Sequence, residues 1–349
     1  MKPAVYITRS AAALPNAPVE NDAVEAILGQ VGERPSRARR VVQRNNGIRR
    51  RYYAVDPATG EPSHSNTRLT AEAIRGLAGN GFALEDITCL VCGTSNADQL
   101  LPNHAVMVHG ELGSPACEVV ATAGVCLSGT TALKYGWMSV LSGCSRNAVV
   151  TGSEVASKVL RSTNYDQAEL TFEEDFLRWM LSDGAGALLL EPAPRRGLNL
   201  RIEWLELLSY ANELPTCMSM GADQRLRQDV RLLNEAVVDY TLVKPLQRVV
   251  AKRSLSADKV DWFLPHMSSE YFRRPVADGL ARAGLPVPQE RWFTNLVSVG
   301  NIGAAAIYLM LDELLRSGRI RAGQRLLCFV PESGRFSSGF MYLTAHAHA

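Results

Sequence analysis

The residue best placed for chemistry is Cys126, in the stretch VVATAGVCLSGTTALKYGWM that spans residues 119 to 138. An apolar run passes through small residues to the cysteine, and the spacing then turns helical, with Leu133, Trp137, Val140 and Leu141 on one face. This reads as a buried strand, a tight bend and a helix. At such a bend the free N–H groups and the positive end of the helix dipole favour a thiolate over a thiol, which makes Cys126 a candidate nucleophile. The same stretch also suits a cysteine that simply packs as a small core residue. Two further polar residues stand where apolar runs meet small-residue bends: His266 in FLPHMSSEYF and Asn301 in SVGNIGAAA.

Other candidate groups carry less. Cys89 and Cys92 form a C-x-x-C inside the apolar run ITCLVCGTS, and a strand pleat sends them to opposite faces, against a metal or redox pair. His104 and His109 are five apart, which places them on different faces of a helix and argues against zinc. Between Arg34 and Arg51 lie eight arginines and no acidic residue: Arg34, Arg37, Arg39, Arg40, Arg44, Arg49, Arg50 and Arg51. Such a segment is either a solvated basic face or a docking surface for an anionic partner.

The elements that must position these groups are those of an α/β protein. At 349 residues the chain exceeds one minimal domain and suits two similar halves or one large unit, and 46% hydrophobic residues support a sizeable core. The net charge of +2 gives no global signal for nucleic acid. No run of 18 apolar residues and no signal-peptide pattern occurs, so a cytoplasmic protein without a membrane span is expected. Seven scattered cysteines, an odd number, do not form a disulfide framework.

Along the chain, a strand is expected at residues 3 to 8, followed by a loop and a helix capped by Asn21 or Asp22. LTAEAIRGLAGNGF reads as a helix; ITCLVCGTS, SRNAVVTGSEVAS and LSDGAGALLLEP read as strands. PAPRRG, at 192 to 197, marks the internal boundary. Beyond it come a long helix from about residue 225 to 250, the strand VDWFLPH, a strand running into SVGNIGAAAIYLMLDELL, and a β-hairpin in LLCFVPESGRFSSGFMYL. The recurrence of strand, small residues and helix gives two similar halves, 1–192 carrying the cysteine and 193–349 carrying the histidine and asparagine.

With these pieces in order, the chain resembles the ketoacyl-acyl carrier protein synthase III group of the thiolase superfamily along nearly its whole length. The matching segments are NNGIRRRYYA, AGVCLSGTTAL, SDGAGALLL, VDWFLPH, VGNIGAAA and SGRFSSGF. The resemblance implies a thiolase-like five-layered αβαβα fold, an obligate homodimer and a catalytic triad of Cys126, His266 and Asn301. Cys126 would take an acyl group from a thioester, and His266 and Asn301 would stabilise the enolate left when a malonyl-type thioester loses carbon dioxide. Substrates would arrive on coenzyme A or on the phosphopantetheine of an acyl carrier protein, with no further cofactor, metal, nucleic acid or membrane involved.

The resemblance also assigns substrate contacts to Leu101, Ser268, Ser269, Gly303, Gly334 and Arg335, and docking of the carrier protein or phosphopantetheine to Arg44, Arg49, Arg273 and Arg274. Several positions depart from the housekeeping pattern. Met267, Ser268 and Ser269 follow the histidine where Gln, Ala and Asn are usual; Ser333, Gly334 and Arg335 replace a glycine run; and Leu101, after Leu100, replaces a bulky aromatic in the dimer-contact loop. These changes imply a specialised homologue in secondary lipid or polyketide metabolism. Alternatives that keep the nucleophile are an acyltransferase without decarboxylation and a head-to-head condensing enzyme. A third is a silent partner subunit, which the intact triad disfavours.

Overall fold

The computed structural model describes residues 3–36, 38–165, 170–221 and 223–349. Nine strands form the main sheet: β1 (Tyr6–Ala13), β2 (Cys89–Thr94), β3 (Glu118–Ala123), β4 (Ala148–Glu154), β5 (Gly184–Glu191), β6 (Gly197–Ser209), β7 (Trp262–Pro265), β8 (Arg325–Glu332) and β9 (Ser337–His348). Their order is β7-β8-β9-β6-β1-β5-β4-β2-β3. Strands from before residue 192 lie on one side of the β1–β6 junction and those from after it on the other. That junction is slight, with only Tyr6 opposite Arg201 and Ile7 opposite Leu200.

The central strands are continuous apolar runs because both of their faces are covered. Cys89, Val91, Val150 and Leu188 share one core with Leu264, Cys328 and Met341, so this layer lies between the two parts of the sheet. The alternate residues Leu90, Cys92, Val149 and Leu189 face Leu69, Ile74 and Val108 of the outer helices Asn66–Arg75 and His104–Leu112. On the far side Phe263, Leu327, Phe329 and Phe340 meet Leu246 and Leu280 of helices Lys244–Arg253 and Arg273–Arg282. Helices Leu127–Leu141 and Ala306–Arg316 fill the middle layer. The result is the expected αβαβα arrangement, and Cys89 and Cys92 do point to opposite faces.

The middle layer is packed backbone to backbone. The Tyr308 hydroxyl donates to the Gly129 carbonyl at 2.7 Å. A Cβ on Gly129 would lie 2.4 Å from the Ala304 carbonyl oxygen, and one on Gly152 only 2.2 Å from it. Only glycine at these two positions lets the segment after Asn301 lie against the nucleophile's helix and β4.

Four expectations are corrected. The strand leading to Cys126 is not buried: β3 is the last strand of the sheet, partly or fully exposed along its length, because nothing among the described residues covers that edge. The first helix, Val24–Leu28, has no side-chain cap; the Asn21 amide instead donates to the Ile48 carbonyl and accepts from Arg51. The long helix begins only at Val230, where the Asp229 carboxylate accepts from Leu232 N–H, and widens into a π-turn over Asp239–Val243 before Lys244–Arg253. Pro245, lacking an N–H, sits at that irregular join. Residues Leu226–Gln228, counted with this helix, pair with Met218–Met220 as a small ribbon.

No strand precedes Asn301: Leu296–Val299 is a helical turn, Gly300 has φ +76°, and Asn301 makes a single bridge to Leu181. The hairpin of β8 and β9 and the strands β2, β4 and β5 occur where the sequence places them. Among the described residues no helix is long and apolar enough to cross a membrane.

Candidate active site

Cys126 is the N-cap residue of the central helix Leu127–Leu141, directly after the end of β3 and Gly124. His266 follows β7, its backbone N–H donating to the Phe329 carbonyl of β8 at 2.8 Å. Asn301 is held on both sides, donating from its backbone to the Met180 carbonyl at 3.1 Å and accepting from Ser182 N–H at 2.9 Å. Its Oδ1 accepts from Gly303 N–H at 3.0 Å, so the amide's N–H₂ is the half left for a ligand. Three distant segments thus reach one place because the two halves pack on a shared middle layer.

They meet at one cavity of about 380 Å³, which Cys126, His266 and Asn301 all line. Its polar part also holds Ser95, Glu154, Ser268 and Gly303, while much of the remaining wall is apolar, with Leu177, Met180, Met218, Leu233, Val237 and Val276. Among the described residues no group of three or more His, Cys, Asp or Glu is arranged to hold a metal ion.

Burial pushes the His266 pKa down to about 4, so its ring is neutral and presents one N–H. The thiolate expected at Cys126 is not favoured here. Burial, and then the carboxylates of Glu332 and Glu154, push the thiol up, and they outweigh the helix end. Sequence reasoning missed both carboxylates. Glu154 ends β4, where its Oε1 accepts from Ser95 N–H at 3.1 Å and Ala304 N–H at 3.2 Å, and its Oε2 from the Ser95 hydroxyl at 2.6 Å. Burial raises it to about 7 despite those donors. Glu332 ends β8, and its Oε2 accepts from Val125 N–H at 2.9 Å and Leu127 N–H at 3.0 Å, the amides on either side of Cys126. The one signal for it in the sequence is an acidic residue closing an apolar strand in FVPESG.

The remaining expected contacts divide. Ser268 and Gly303 line the cavity, as does Met267. Ser269 does not: it is buried, and its hydroxyl donates to the Asn45 carbonyl. Gly334 packs against Val125, its carbonyl accepting from Cys217 and Met218 N–H. Arg335 is exposed and reaches the Leu214 carbonyl at 3.3 Å, so its charge lies outside the cavity. Leu101 is 86% exposed on an outer loop and does not line its own chain's cavity.

The arginine segment is not one surface. Arg51 is wholly buried, donating to the Trp179 carbonyl and Asn21, and Arg50 pairs with Glu20 at 2.7 Å. Arg39 lies over the Trp179 ring. Arg34, Arg40, Arg44 and Arg49 are exposed, and Arg37 lies outside the described residues. Arg273 is bound to Glu270 at 2.6 Å and stacked by Trp292, whereas Arg274 is exposed and only 3.9 Å from Asp278.

Known proteins resemble the chain in sequence and in fold. The family profile described as 3-oxoacyl-acyl-carrier-protein (ACP) synthase III C terminal matches residues 250–342. A β-ketoacyl-acyl-carrier-protein synthase III from Rhizorhabdus wittichii is 29% identical over 306 residues, covering 86% of this chain and 88% of the relative. Among solved structures, the tetronic acid condensing enzyme AbyA1 superposes with a TM-score of 0.83 at 22% identity, over 97% of this chain and 99% of that one. OleA of Xanthomonas campestris, solved with bound lauric acid and lauroyl-CoA, gives a TM-score of 0.79 at 20% identity, over 99% of this chain and 100% of that one.

Proposed function

We propose, from the premise that the chain is a ketoacyl-acyl carrier protein synthase III-like condensing enzyme of thiolase fold, that Cys126 is the nucleophile of a decarboxylative condensation. The thiol sulfur attacks an acyl thioester, the carrier leaves as a free thiol, and the acyl group stays on Cys126. A malonyl-type thioester then loses carbon dioxide. The ring N–H of His266 and the side-chain N–H₂ of Asn301 donate to its thioester oxygen and hold the enolate. The enolate carbon attacks the acyl-cysteine, and a β-ketoacyl thioester departs with the thiol restored. A neutral His266 suits this task, since it keeps one donor without adding a charge to the pocket.

The observation that carries the reading is the meeting of Cys126, His266 and Asn301 in one cavity. Its apolar wall favours an aliphatic acyl chain: at about 30 Å³ for each water-sized group, 380 Å³ holds on the order of a dozen methylenes. A lauroyl chain, the ligand reported for OleA, is of this size. The substrates would be carried on coenzyme A or an acyl carrier protein, and the product would enter specialised lipid or polyketide synthesis.

The test is intact-protein mass spectrometry after incubation with acyl thioesters from acetyl to palmitoyl. The wild type should gain the mass of a medium-chain acyl group and Cys126→Ala should gain none. Adding a malonyl thioester should clear the adduct with release of carbon dioxide. An adduct retained by Cys126→Ala would refute the nucleophile, and clearance by an alcohol or amine without carbon dioxide would make the enzyme a plain acyltransferase.

A further inference from the structure

Acylation of Cys126 needs an acceptor for its thiol proton, and the groups assigned to the reaction do not supply one. Asn301 has no basic site, and His266 is a weak base whose one N–H is required as a donor in the condensation step. Glu154 is held on both carboxylate oxygens by Ser95 and Ala304. Glu332 differs. Its Oε2 is fixed by the amides of Val125 and Leu127, so the carboxylate straddles the residue between them. Oε1 has no hydrogen bond among the described residues.

The approach is built into the chain, because a Cβ on Gly124 would stand 3.3 Å from Oε2 and that residue has φ +154°. Glu332, the last residue of β8, and Glu154, the last of β4, are the charged groups that act on Cys126, and Glu154, His266 and Asn301 line the cavity with it. Arg335, in the turn after Glu332, extends to the Leu214 carbonyl instead.

We propose that Glu332 is the proton acceptor for Cys126 in the acylation step, an assignment that rests on Cys126 being the nucleophile. As the sulfur forms its bond to the thioester carbonyl carbon, the thiol proton passes to the Glu332 carboxylate. As the bond to the leaving sulfur breaks, the same proton passes to the departing thiolate. Glu332 ends as a carboxylate, and nothing is oxidised or reduced.

The test compares two reactions of the same sulfur across the pH range of the thiol: acylation by an acyl thioester, and alkylation by iodoacetamide, which needs only the thiolate. Glu332→Gln keeps an oxygen for the two amides and removes the base. Acylation should fall by about 100-fold or more. Alkylation at neutral pH should rise, since a negative charge no longer faces the thiol. Glu332→Asp should recover part of the acylation rate. A fall in both reactions would reduce Glu332 to a packing role, and a rise in both would make it only a restraint on the thiolate; either result overturns the proposal. An acyl adduct on Cys126→Ala would instead bring down the nucleophile assignment itself.

Discussion

The exposed end of the sheet should be a dimer interface, and its strength can be worked out. Leu100 is 94% and Leu101 86% exposed on the loop after β2, beside the uncovered edge strand β3, with Val106, Tyr135 and Met138 also exposed on neighbouring helices. Burying one leucine side chain contributes about 1.5 to 3 kcal/mol. A two-fold dimer buries four of them, so replacing both leucines removes about 6 kcal/mol at the lower figure, about four decades in Kd. The assay is sedimentation equilibrium over a dilution series from micromolar to nanomolar. The wild type should be a dimer at micromolar concentration, and the Leu100→Ser, Leu101→Ser double variant a folded monomer. A monomeric wild type would refute the interface, and a double variant whose Kd moves by less than about one decade would refute the role of the leucines.

Three further outcomes are expected. Gly152→Ala drives a methyl to 2.2 Å from the Ala304 carbonyl, so the denaturation midpoint should drop by the equivalent of about 1 to 3 kcal/mol, and an unchanged midpoint would disprove the contact. Glu154, raised by burial to about 7, keeps its proton in the folded state where the unfolded chain has lost it. Its contribution is therefore complete below the ordinary value of 4.5 and lost as pH rises through about 7. Relative to Glu154→Gln, the wild type should lose up to about 3 kcal/mol over that window in urea titrations, and parallel pH curves would contradict this. Reversing the exposed Arg44, Arg49 and Arg274 to Glu should slow turnover with acidic carrier-protein substrates at low salt while sparing small thioesters, with the difference fading as salt rises. Equal losses with both donors would point to the pocket instead.

That Cys126, His266 and Asn301 would be singled out together was legible because each sits in a locally recognisable setting, an apolar strand or turn ending in small residues, and the structure brings all three to one cavity. The layered fold was legible for the same reason: β2, β4, β5 and β8 read as continuous apolar runs, and only a doubly covered sheet requires them. Glu332 and Glu154 were not legible, because their importance comes from contacts across long separations, as between Glu332 and Val125, 207 residues apart. A thiolate was expected at Cys126 because neither the burial of the sulfur, the larger cause, nor these two carboxylates could be read locally. The composition of β3 matched a buried strand because its apolar residues alone do not tell an edge strand from a central one. The arginine segment failed as a unit for the opposite reason, since a guanidinium on a surface and one closed over the Trp179 carbonyl look alike in sequence. Asp229 and Pro245 marked breaks in the long helix that periodicity alone passed over.

The division of the site between two halves also sets an order in time. During synthesis the strand, bend and helix around Cys126 leave the ribosome well before His266 and Asn301, and Glu332 comes last. At roughly 5 to 20 residues per second, the 207 positions from Val125 to Glu332 take on the order of 10 to 40 seconds to make. Throughout that interval the nascent cysteine has neither His266 and Asn301 nor the carboxylate against its flanking amides. The cavity that Cys126 shares with His266 and Asn301 is therefore completed only when the second half folds against the first.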